Sequence, residues 1–322
     1  LGLSYIPPYS LGITGVLVEK SKTNDYNPHI DREGLIELFD SLPAPYHFID
    51  FETSTVALPF TSGRTPYEQI AFQFSHHVYY EDGKIEHRTE FISNTPGEFP
   101  NFKFARALRE ALKSDFGTIF RFATHENSIL NAIIKQLNES TEIDKLELIS
   151  FLKTITVSTK DSAEQWEGFR NMVDLNKIVK DYYYNPYTKG SNSIKAVLPA
   201  SLISSEFLRI KYSNSIENIN VSSMNFSPTH IWLTIINDEL INPYKMLPPL
   251  FEGWVNIDKD ENISEIDNIA DGGAALTAYA KLQYEDMSDK ERNEITSGLL
   301  KYCELDTLAM VMIYEHLVEL TA

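Results

Sequence analysis

Hydrophobic and polar residues alternate in three successive runs near the start of the chain, a pattern typical of half-buried β-strands. The first run covers residues 46–52, the second covers residues 69–80, and the third ends near residue 92. The turn sequence Glu-Asp-Gly-Lys at 81–84 separates the second run from the third. We therefore expect three strands in an antiparallel meander. In the second run, the large apolar residues Ile70, Phe72 and Phe74 alternate with smaller or polar residues.

Beyond residue 100 the hydrophobic period changes from two to about 3.6, which indicates helices that alternate with strands. This pattern predicts a helix at 101–113, a strand at 118–123 and a helix at about 126–137. A short strand ending near residue 174 then leads into a helix that reaches the tyrosines at 182–184. The last predicted helix is at about 294–320. Three antiparallel strands followed by β-α-β-α and a final helix predict an α/β fold, with one mixed sheet flanked by helices.

Two segments of the chain have weaker patterns. Residues 185–280 are rich in Ser, Asn and Pro, so we expect loops and short helices there, including a loop-rich insertion at about 200–270. Residues 1–44 are predicted to be a loop-rich lead-in with one short helix at 31–42, which Pro43 and Pro45 stop. Because the chain starts with Leu1, we interpret 1–44 as a linker from an upstream region and 45–322 as one catalytic domain.

The composition is that of an ordinary globular protein, with 43% hydrophobic and 23% charged residues. No stretch approaches the roughly 18 apolar residues that a membrane span requires, so we expect no membrane association. The single cysteine, Cys303, excludes an intramolecular disulfide and a cysteine-based zinc site. Both features favour a cytoplasmic location.

The net charge of -18 argues against a protein that holds nucleic acid by a positive field alone. The charge is unevenly distributed. Residues 170–211 contain seven basic and three acidic residues, whereas residues 251–322 contain 5 basic and 16 acidic residues. We expect the acidic region to lie opposite the path of a substrate.

Asp50 and Glu52 are the first candidates for chemistry. Residues two apart on a strand face the same way, and the flanking Phe48, Ile49 and Phe51 indicate that this strand is buried. Buried acidic residues are rarely left unpaired, so these two are either salt-bridged or metal-bound. We favour metal binding over the alternative of a solvent-exposed edge strand, since carboxylates are the ligands that hard divalent cations prefer.

Tyr302 and Asp306 are four residues apart on the last predicted helix and therefore lie on one face. Such a pair can combine a metal ligand, Asp306, with a hydroxyl that orients an attacking water. Taken alone, the spacing is better explained by a half-buried tyrosine beside an exposed aspartate.

The sequence around these two pairs resembles known nucleases. Phe-Ile-Asp-Phe-Glu-Thr at 48–53 and Tyr-Cys-Glu-Leu-Asp at 302–306 resemble the first and third motifs of the tyrosine-containing subclass of the DEDD exonuclease superfamily. From residue 44 onward, most of the chain more closely resembles an uncharacterised bacterial domain family with four motifs: DFET, SIKAVLP, DGG and YCxxDT, which here are residues 50–53, 193–199, 271–273 and 302–307. The resemblance implies a ribonuclease H-like fold and a metal-dependent nuclease.

The second superfamily motif differs in this chain. Most members of the superfamily place an aspartate at the start of the helix that follows the fourth strand, whereas Glu126 is the only carboxylate in Thr-His-Glu-Asn at 124–127. The resemblance therefore implies Glu126 as the third ligand, although a glutamate that complements the helix dipole explains it equally well. Asp174 is the runner-up ligand, and capping of the following helix is its simpler role.

Several further residues are candidates for substrate binding. Lys195 can contact a phosphate and Tyr187 can stack on an unpaired base, although a polar loop entering a helix explains both. Thr53 follows the first carboxylate pair and His125 precedes Glu126, where it is a candidate auxiliary ligand. The segment Asp-Gly-Gly at 271–273 is predicted to form a tight turn near the site.

These expectations combine into a nuclease that requires Mg²⁺ or Mn²⁺ and acts from the 3′ end of single-stranded DNA or RNA. Two ions would hold the phosphodiester and activate water, with Asp50, Glu52, Glu126 and Asp306 as ligands and Tyr302 positioning the water. The expected partners are the single-stranded nucleic acid and an upstream domain of the same protein. Two alternatives remain open: a catalytically inactive ribonuclease H-like module that binds nucleic acid or a partner protein, and a phosphodiesterase for small nucleotides.

Overall fold

The computed structural model describes residues 27–162, 164–237, 239–250, 269 and 272–322. The strands of these residues, in chain order, are β1 (His29–Ile30), β2 (Tyr46–Ser54), β3 (Ile70–Tyr79), β4 (Ile85–Ile92), β5 (Ile119–Arg121), β6 (Val173–Asp174), β7 (Tyr183–Tyr184), β8 (Val221–Ser222), β9 (Thr234–Ile236) and β10 (Glu239–Ile241). The helices are α1 (Arg32–Asp40), α2 (Asn101–Leu112), α3 (His125–Glu139), α4 (Lys145–Thr154), α5 (Leu175–Tyr182), α6 (Ile194–Ser204), α7 (Glu206–Tyr212), α8 (Gly272–Tyr284) and α9 (Asp289–Glu319).

A six-stranded mixed sheet forms the centre of the fold, with the strand order β6-β5-β2-β3-β4-β8. Strands β2, β3 and β4 pair antiparallel, which confirms the predicted meander. Strand β5 pairs parallel with β2, β6 pairs parallel with β5, and β8 pairs parallel with β4. The predicted α/β class and the single mixed sheet flanked by helices are thus confirmed.

Two hydrophobic cores lie on opposite faces of this sheet. Helices α2, α3 and α4 cover one face and pack against Ile49 and Phe51. Helices α5 to α9 cover the other face and pack against Phe48. The predicted alternation along β2 is therefore correct, and Asp50 and Glu52 are on the face that α9 covers.

An irregularity in β3 changes the predicted alternation there. Phe72 is an extra residue opposite the step from Glu52 to Thr53 in β2. Such a bulge shifts the phase of the strand, so Phe72 packs on the α9 side of the sheet and Phe74 on the α2 side. The alternation predicted from the sequence put Phe72 and Phe74 on the same face of the strand, and this expectation was wrong.

Helix α9 begins five residues earlier than predicted and is covered on nearly all sides between Tyr302 and Leu317. A capping box fixes its start, because the Ser288 side chain accepts from the Glu291 N–H and the Glu291 side chain accepts from the Ser288 N–H. The helix packs against β2, β3 and α6. Polar residues of α9 are therefore buried against the sheet rather than exposed to solvent.

The least patterned regions gave the poorest predictions. Helix α4 was not predicted at all. Gly272 and Gly273 begin helix α8, so the predicted turn at this point was wrong; the alanine-rich sequence that follows favours a helix. Asp271 and residues 251–268 of the expected insertion lie outside the described residues.

The end of the predicted lead-in packs against the domain. Ile30 pairs with Tyr183, and Leu35 of α1 is fully buried in the core. Helix α1 lies within the range predicted for it, while residues 1–26 of the lead-in are outside the described part of the chain. Among the described helices, none has both the length and the hydrophobicity needed to cross a bilayer.

Candidate metal centre

Strand β2 supplies the first two carboxylates. Asp50 is half-buried and Glu52 is 9% exposed, and both face helix α9. Glu52 pairs with Gln73 of β3, immediately before the bulge. A bulge at this point fixes the direction in which the side chains at the end of the strand project.

Helix α9 supplies Tyr302 and Asp306, which are 3% and 5% exposed. The Gln73 amide donates a hydrogen bond from Nε2 to the carbonyl oxygen of Leu299 at 2.8 Å, which ties the helix to β3 one turn before Tyr302. Burial and the nearby charge of Asp306 raise the pKa of the Tyr302 phenol. The two residues therefore share one face of the helix, as their spacing predicted.

Glu126 lies in the first turn of α3, and the turn from β5 into this helix holds it in place. Ala123 has the left-handed value φ = +80°, which is uncommon for a residue with a side chain. The Ala123 N–H donates to Asp174 Oδ1 at 3.0 Å, and Arg121 Nη1 donates to the Ala123 carbonyl oxygen at 2.7 Å. Glu126 is 2% exposed as a result.

Asp174 caps helix α5, because its Oδ1 also accepts from the Lys177 N–H at 3.1 Å. The capping role that we considered simpler is therefore confirmed. Through Ala123, the same carboxylate also helps to hold the turn that presents Glu126.

The four predicted carboxylates affect one another electrostatically. Burial and the charges of Asp306, Glu52 and Glu126 raise the pKa of Asp50 well above its ordinary value. Burial, Asp306 and Glu126 do the same to the pKa of Glu52. Burial raises the pKa of Glu126 to about 8 and that of Asp306 to about 6. We call these four carboxylates and Tyr302 the acidic pocket.

The oxygen atoms available as metal ligands in the acidic pocket fit a hard divalent cation. Glu126 Oε2 and Gln73 Oε1 are buried and have no hydrogen-bond partner among the described residues. An unpaired buried carboxylate oxygen costs free energy that a bound cation can offset. Mg²⁺ and Mn²⁺ prefer ligand sets of this kind, made of carboxylate and amide oxygens.

Lys195, near the start of α6, reaches the acidic pocket. Its Nζ donates to the Tyr302 hydroxyl oxygen at 3.1 Å and lies 5.0 Å from the centre of that ring. The positive charge lowers the pKa of Asp50, Glu52 and Asp306 relative to what burial alone would give. The residue predicted to contact a phosphate thus lies beside the carboxylates.

Tyr244 is a pocket residue that the sequence did not reveal. It belongs to a 3₁₀-helix, Pro243–Met246, within the expected insertion, and is 3% exposed. Its hydroxyl donates to Asp306 Oδ1 at 2.5 Å. The only local signal is Asn242, whose side chain caps the Tyr244 N–H at 3.1 Å; this signal predicts a turn but not its position in the fold.

Cys303 also borders the carboxylates. Its Sγ lies 4.0 Å from Asp50 Oδ2, and one ligand atom from each of Asp50, Glu52 and Cys303 lies within 4.8 Å of the others. The spacing of three residues to Asp306 was a sequence signal for this position, since residues three apart share a helix face.

The remaining predicted substrate-binding residues lie in two places. Thr53 Oγ1 and His125 Nε2 are 2.8 Å apart, which joins the end of β2 to the start of α3 beside Glu52 and Glu126. Tyr187 is 47% exposed in a separate 3₁₀-helix, Pro186–Thr188.

Much of the positive charge predicted over residues 170–211 is used within the fold. Arg170 is buried and donates to Asp115 and to the carbonyl oxygens of Leu112 and Gly117. Lys211 pairs with the buried Glu315 at 2.6 Å. These two cations interact with nearby acidic groups and carbonyl dipoles, so they do not contribute to a free positive surface.

A second buried polar cluster lies on the other side of α9, against β3 and β4. We call it the histidine network; it consists of Ser75, His77, His87, Glu304 and Thr307. His87 Nδ1 lies 3.0 Å from Glu304 Oε2, and His87 Nε2 lies 3.0 Å from Ser75 Oγ. Thr307 Oγ1 is 2.8 Å from both Ser75 Oγ and His77 Nδ1.

The chain matches one family model, described as a domain of unknown function (DUF2779), over residues 47–193. This range covers Asp50, Glu52 and Glu126 and ends before Lys195, Tyr302 and Asp306. Neither the curated proteins nor the solved structures with which the chain was compared include a match.

Proposed function

We propose that this protein is a metal-dependent nuclease that hydrolyses single-stranded nucleic acid from its 3′ end, with two Mg²⁺ or Mn²⁺ ions. The proposal depends on one observation: four carboxylates from three separate elements lie close enough together for their charges to interact. They are Asp50 and Glu52 of β2, Glu126 of α3 and Asp306 of α9. A fold has no structural need for four carboxyl groups in one place, three of them buried and one half-buried, whereas a phosphodiester hydrolase does.

The sheet supports a ribonuclease H-like assignment. Three antiparallel strands come first in the chain, and β5 and β6 then extend the sheet in parallel beside β2. This arrangement follows the expected order of three antiparallel strands and then β-α-β-α. It also puts the ends of β2 and β5 side by side, so the carboxylates of β2 and the start of α3 meet at one edge of the pocket.

Each residue of the acidic pocket has a distinct proposed role. Asp50, Glu52, Glu126 and Asp306 would hold the ions, which supply positive charge for the phosphodiester and lower the pKa of water. Burial raises the pKa of the Tyr302 phenol. Tyr302 therefore stays neutral and acts as a hydrogen-bonding group that orients the attacking water, rather than as a base.

Lys195 is proposed to contact a non-bridging oxygen of the phosphate that is cleaved. Its ammonium lies over the rings of Tyr244 and Tyr302, at 5.1 and 5.0 Å from their centres, which fixes its position beside the carboxylates. A lysine ammonium at this position would contribute a favourable contact with an anionic phosphodiester.

The acidic surface favours a short or single-stranded end as the substrate. The protein has a net charge of -18. At moderate ionic strength it would therefore repel a long duplex wherever the duplex came within about 10 Å of its surface. A single-stranded end brings fewer phosphates near the surface at once.

Digestion of a single-stranded oligonucleotide tests the proposal. We expect the wild-type protein with Mn²⁺ to shorten a 5′-labelled DNA or RNA strand one nucleotide at a time, and the Asp50→Asn protein to lose at least about 10³-fold in rate, as removal of a central catalytic group commonly does. Asp181→Asn is the matched control, because Asp181 is an exposed residue paired with Lys177. Equal digestion by wild type and Asp50→Asn, or none by the wild type with either ion, would contradict the proposal.

A further inference from the structure

The thiol of Cys303 gives the acidic pocket a donor atom that a purely oxygen-based site lacks. Cys303 is fully buried on α9, and its Sγ approaches both the backbone oxygen of Asp50 at 3.7 Å and Asp50 Oδ2 at 4.0 Å. One ligand atom from each of Asp50, Glu52 and Cys303 lies within 4.8 Å of the others. Two carboxylates and a thiol thus surround one point.

The distance between Cys303 Sγ and Asp50 Oδ2 is close to that between two ligands of one small cation. In a tetrahedral site with bonds of about 2.1 Å to oxygen and 2.3 Å to sulfur, the oxygen and sulfur atoms are about 3.6 Å apart. The Sγ and Oδ2 atoms are 4.0 Å apart here, so they need to approach by only a few tenths of an ångström. Rotation of the half-buried Asp50 carboxylate provides such a movement.

A separate observation indicates that this point takes a ligand. Gln73 is 1% exposed and pairs with Glu52 across the sheet, so its side chain is on the same face. Its Nε2 donates to Leu299, whereas its Oε1 has no partner among the described residues. Glu126 Oε2, also buried, is without a partner in the same part of the fold. Buried oxygens of this kind are normally satisfied, so a cation or its bound water accounts for them.

We propose that Asp50, Glu52 and Cys303 form a mixed carboxylate–thiolate site for a borderline or soft divalent cation, of which Zn²⁺ is the biological representative. This proposal departs from the expectation that a single cysteine excludes a cysteine-based zinc site, because two carboxylates supply the other protein ligands. Thiolate ligands select such ions over Mg²⁺, which prefers oxygen. On binding, the Cys303 S–H bond breaks, a sulfur–metal bond forms and the proton leaves to solvent water. Three protein ligands leave a fourth position for water.

A consequence for the nuclease follows, and this part alone rests on the proposed function. Asp50 and Glu52 cannot serve a hard ion while they hold a soft one together with Cys303. Zn²⁺ would then inhibit Mn²⁺-supported cleavage by competition, and removal of the thiol would weaken that inhibition.

Cadmium is a suitable probe because a Cd²⁺–thiolate bond gives a charge-transfer band in the ultraviolet. The chain has a single cysteine, so any such band in the purified, reduced protein reports on Cys303. We expect the wild-type band to saturate at one Cd²⁺ per chain and the Cys303→Ser protein to show no band. In Glu52→Gln, which keeps the thiol, half-saturation should require at least about tenfold more Cd²⁺.

Glu304→Gln is the matched control, because Glu304 is also a buried glutamate, adjacent to Cys303, but hydrogen-bonds on the other side of α9. Its half-saturation should equal that of the wild type. The proposal is overturned if the wild type shows no band, or if Glu52→Gln and wild type saturate alike, since the thiol would then bind Cd²⁺ without the carboxylates. Cleavage with Mn²⁺ is measured on a Cd²⁺-free portion of the same preparation. Cleavage in that portion with no Cd²⁺ band overturns this inference alone, and a Cd²⁺ band with no cleavage in the Cd²⁺-free portion overturns the nuclease alone.

Discussion

Helix α9 carries two buried polar clusters on its two sides, and their partners differ. In the histidine network, Glu304 Oε2 lies 3.0 Å from His87 Nδ1 and accepts from the Asn225 N–H and side-chain amide at 3.0 and 2.9 Å. In the acidic pocket, the neighbours of Asp306 include Asp50 and Glu52, whose negative charges repel that of Asp306. Both clusters contain a hydrogen-bonded carboxylate, since Tyr244 donates to Asp306, yet the acidic pocket brings several carboxylates together, whose charges raise one another's pKa.

A structural cluster and a functional cluster differ in what happens when a carboxylate is removed. A buried carboxylate with hydrogen-bond donors around it stabilises the fold, and its removal leaves those donors unsatisfied. Buried carboxylates that repel one another destabilise the fold until a cation binds. The same substitution, acid to amide, should therefore have opposite effects in the two clusters.

The largest expected effect is on metal affinity. Asp306→Asn should weaken Mn²⁺ binding by at least about 100-fold, since even outer-shell changes at metal sites cost ten- to 100-fold. Without metal, the same variant should be at least as stable as the wild type, because one repelling charge is gone. Isothermal titration with Mn²⁺ and chemical denaturation measure the two quantities. An unchanged Mn²⁺ affinity would remove Asp306 from the pocket's ligands.

The mirror experiment uses the histidine network. Glu304→Gln should lower the free energy of unfolding by about 2–3 kcal/mol, because hydrogen bonds to a charged acceptor in the core are lost. Its Mn²⁺ affinity should equal that of the wild type. If Glu304→Gln instead weakened Mn²⁺ binding as much as Asp306→Asn does, the two clusters would not be separate.

The stability of the metal-free protein should depend on pH through Glu126. The pKa of Glu126 rises from an ordinary value of 4.5 to about 8 on folding. The folded protein therefore binds this proton more tightly than the unfolded protein does, so the stability it contributes is complete below about pH 4.5 and is lost as the pH rises toward 8. Metal-free wild type should become less stable across this range. Between pH 5 and pH 8, the free energy of unfolding of Glu126→Gln should fall by on the order of 2 kcal/mol less than that of the wild type. Urea denaturation at the two pH values measures this difference.

Saturating Mn²⁺ provides the control for that measurement. The ion binds the ionised carboxylate, so it should reduce the loss of wild-type stability at high pH and leave Glu126→Gln less affected. A wild-type protein whose stability rises between pH 5 and pH 8 without metal would contradict the assignment of Glu126 to the pocket.

The smallest effect is expected at the runner-up ligand. Asp174→Asn keeps an oxygen that can accept from Lys177 and Ala123, so it should cost less than about 1 kcal/mol of stability. Mn²⁺ affinity should not change, because the carboxylate of Asp174 serves as a helix cap. A clear loss of Mn²⁺ affinity at unchanged stability would make Asp174 a ligand.

The sequence predicted the parts of the pocket that regular elements carry. Alternation along β2 placed Asp50 and Glu52 on one face, and helical spacing placed Tyr302 with Asp306. These two features depend on local periodicity, which a single sequence contains. Glu126 was implied as a ligand only by the resemblance to the second motif of the exonuclease superfamily.

The features that the sequence did not predict depend on contacts between distant segments. Tyr244 comes from a segment with weak periodicity, and only the tertiary fold brings its hydroxyl to Asp306. The bulge at Phe72 reverses the faces of β3 without any glycine or proline to mark it. The glycines at 272 and 273 indicated a turn, but the alanine-rich residues after them determined a helix. Local signals of this kind are weak against tertiary packing.

Anomalous diffraction from a crystal soaked in Mn²⁺ would show whether a metal ion binds between β2 and α9. We expect an anomalous peak between Asp50 and Asp306, within about 2.0–2.3 Å of carboxylate oxygens from both β2 and α9. A soaked crystal with no manganese between these two residues, while their carboxyl groups hold one another through shared protons, would contradict this expectation.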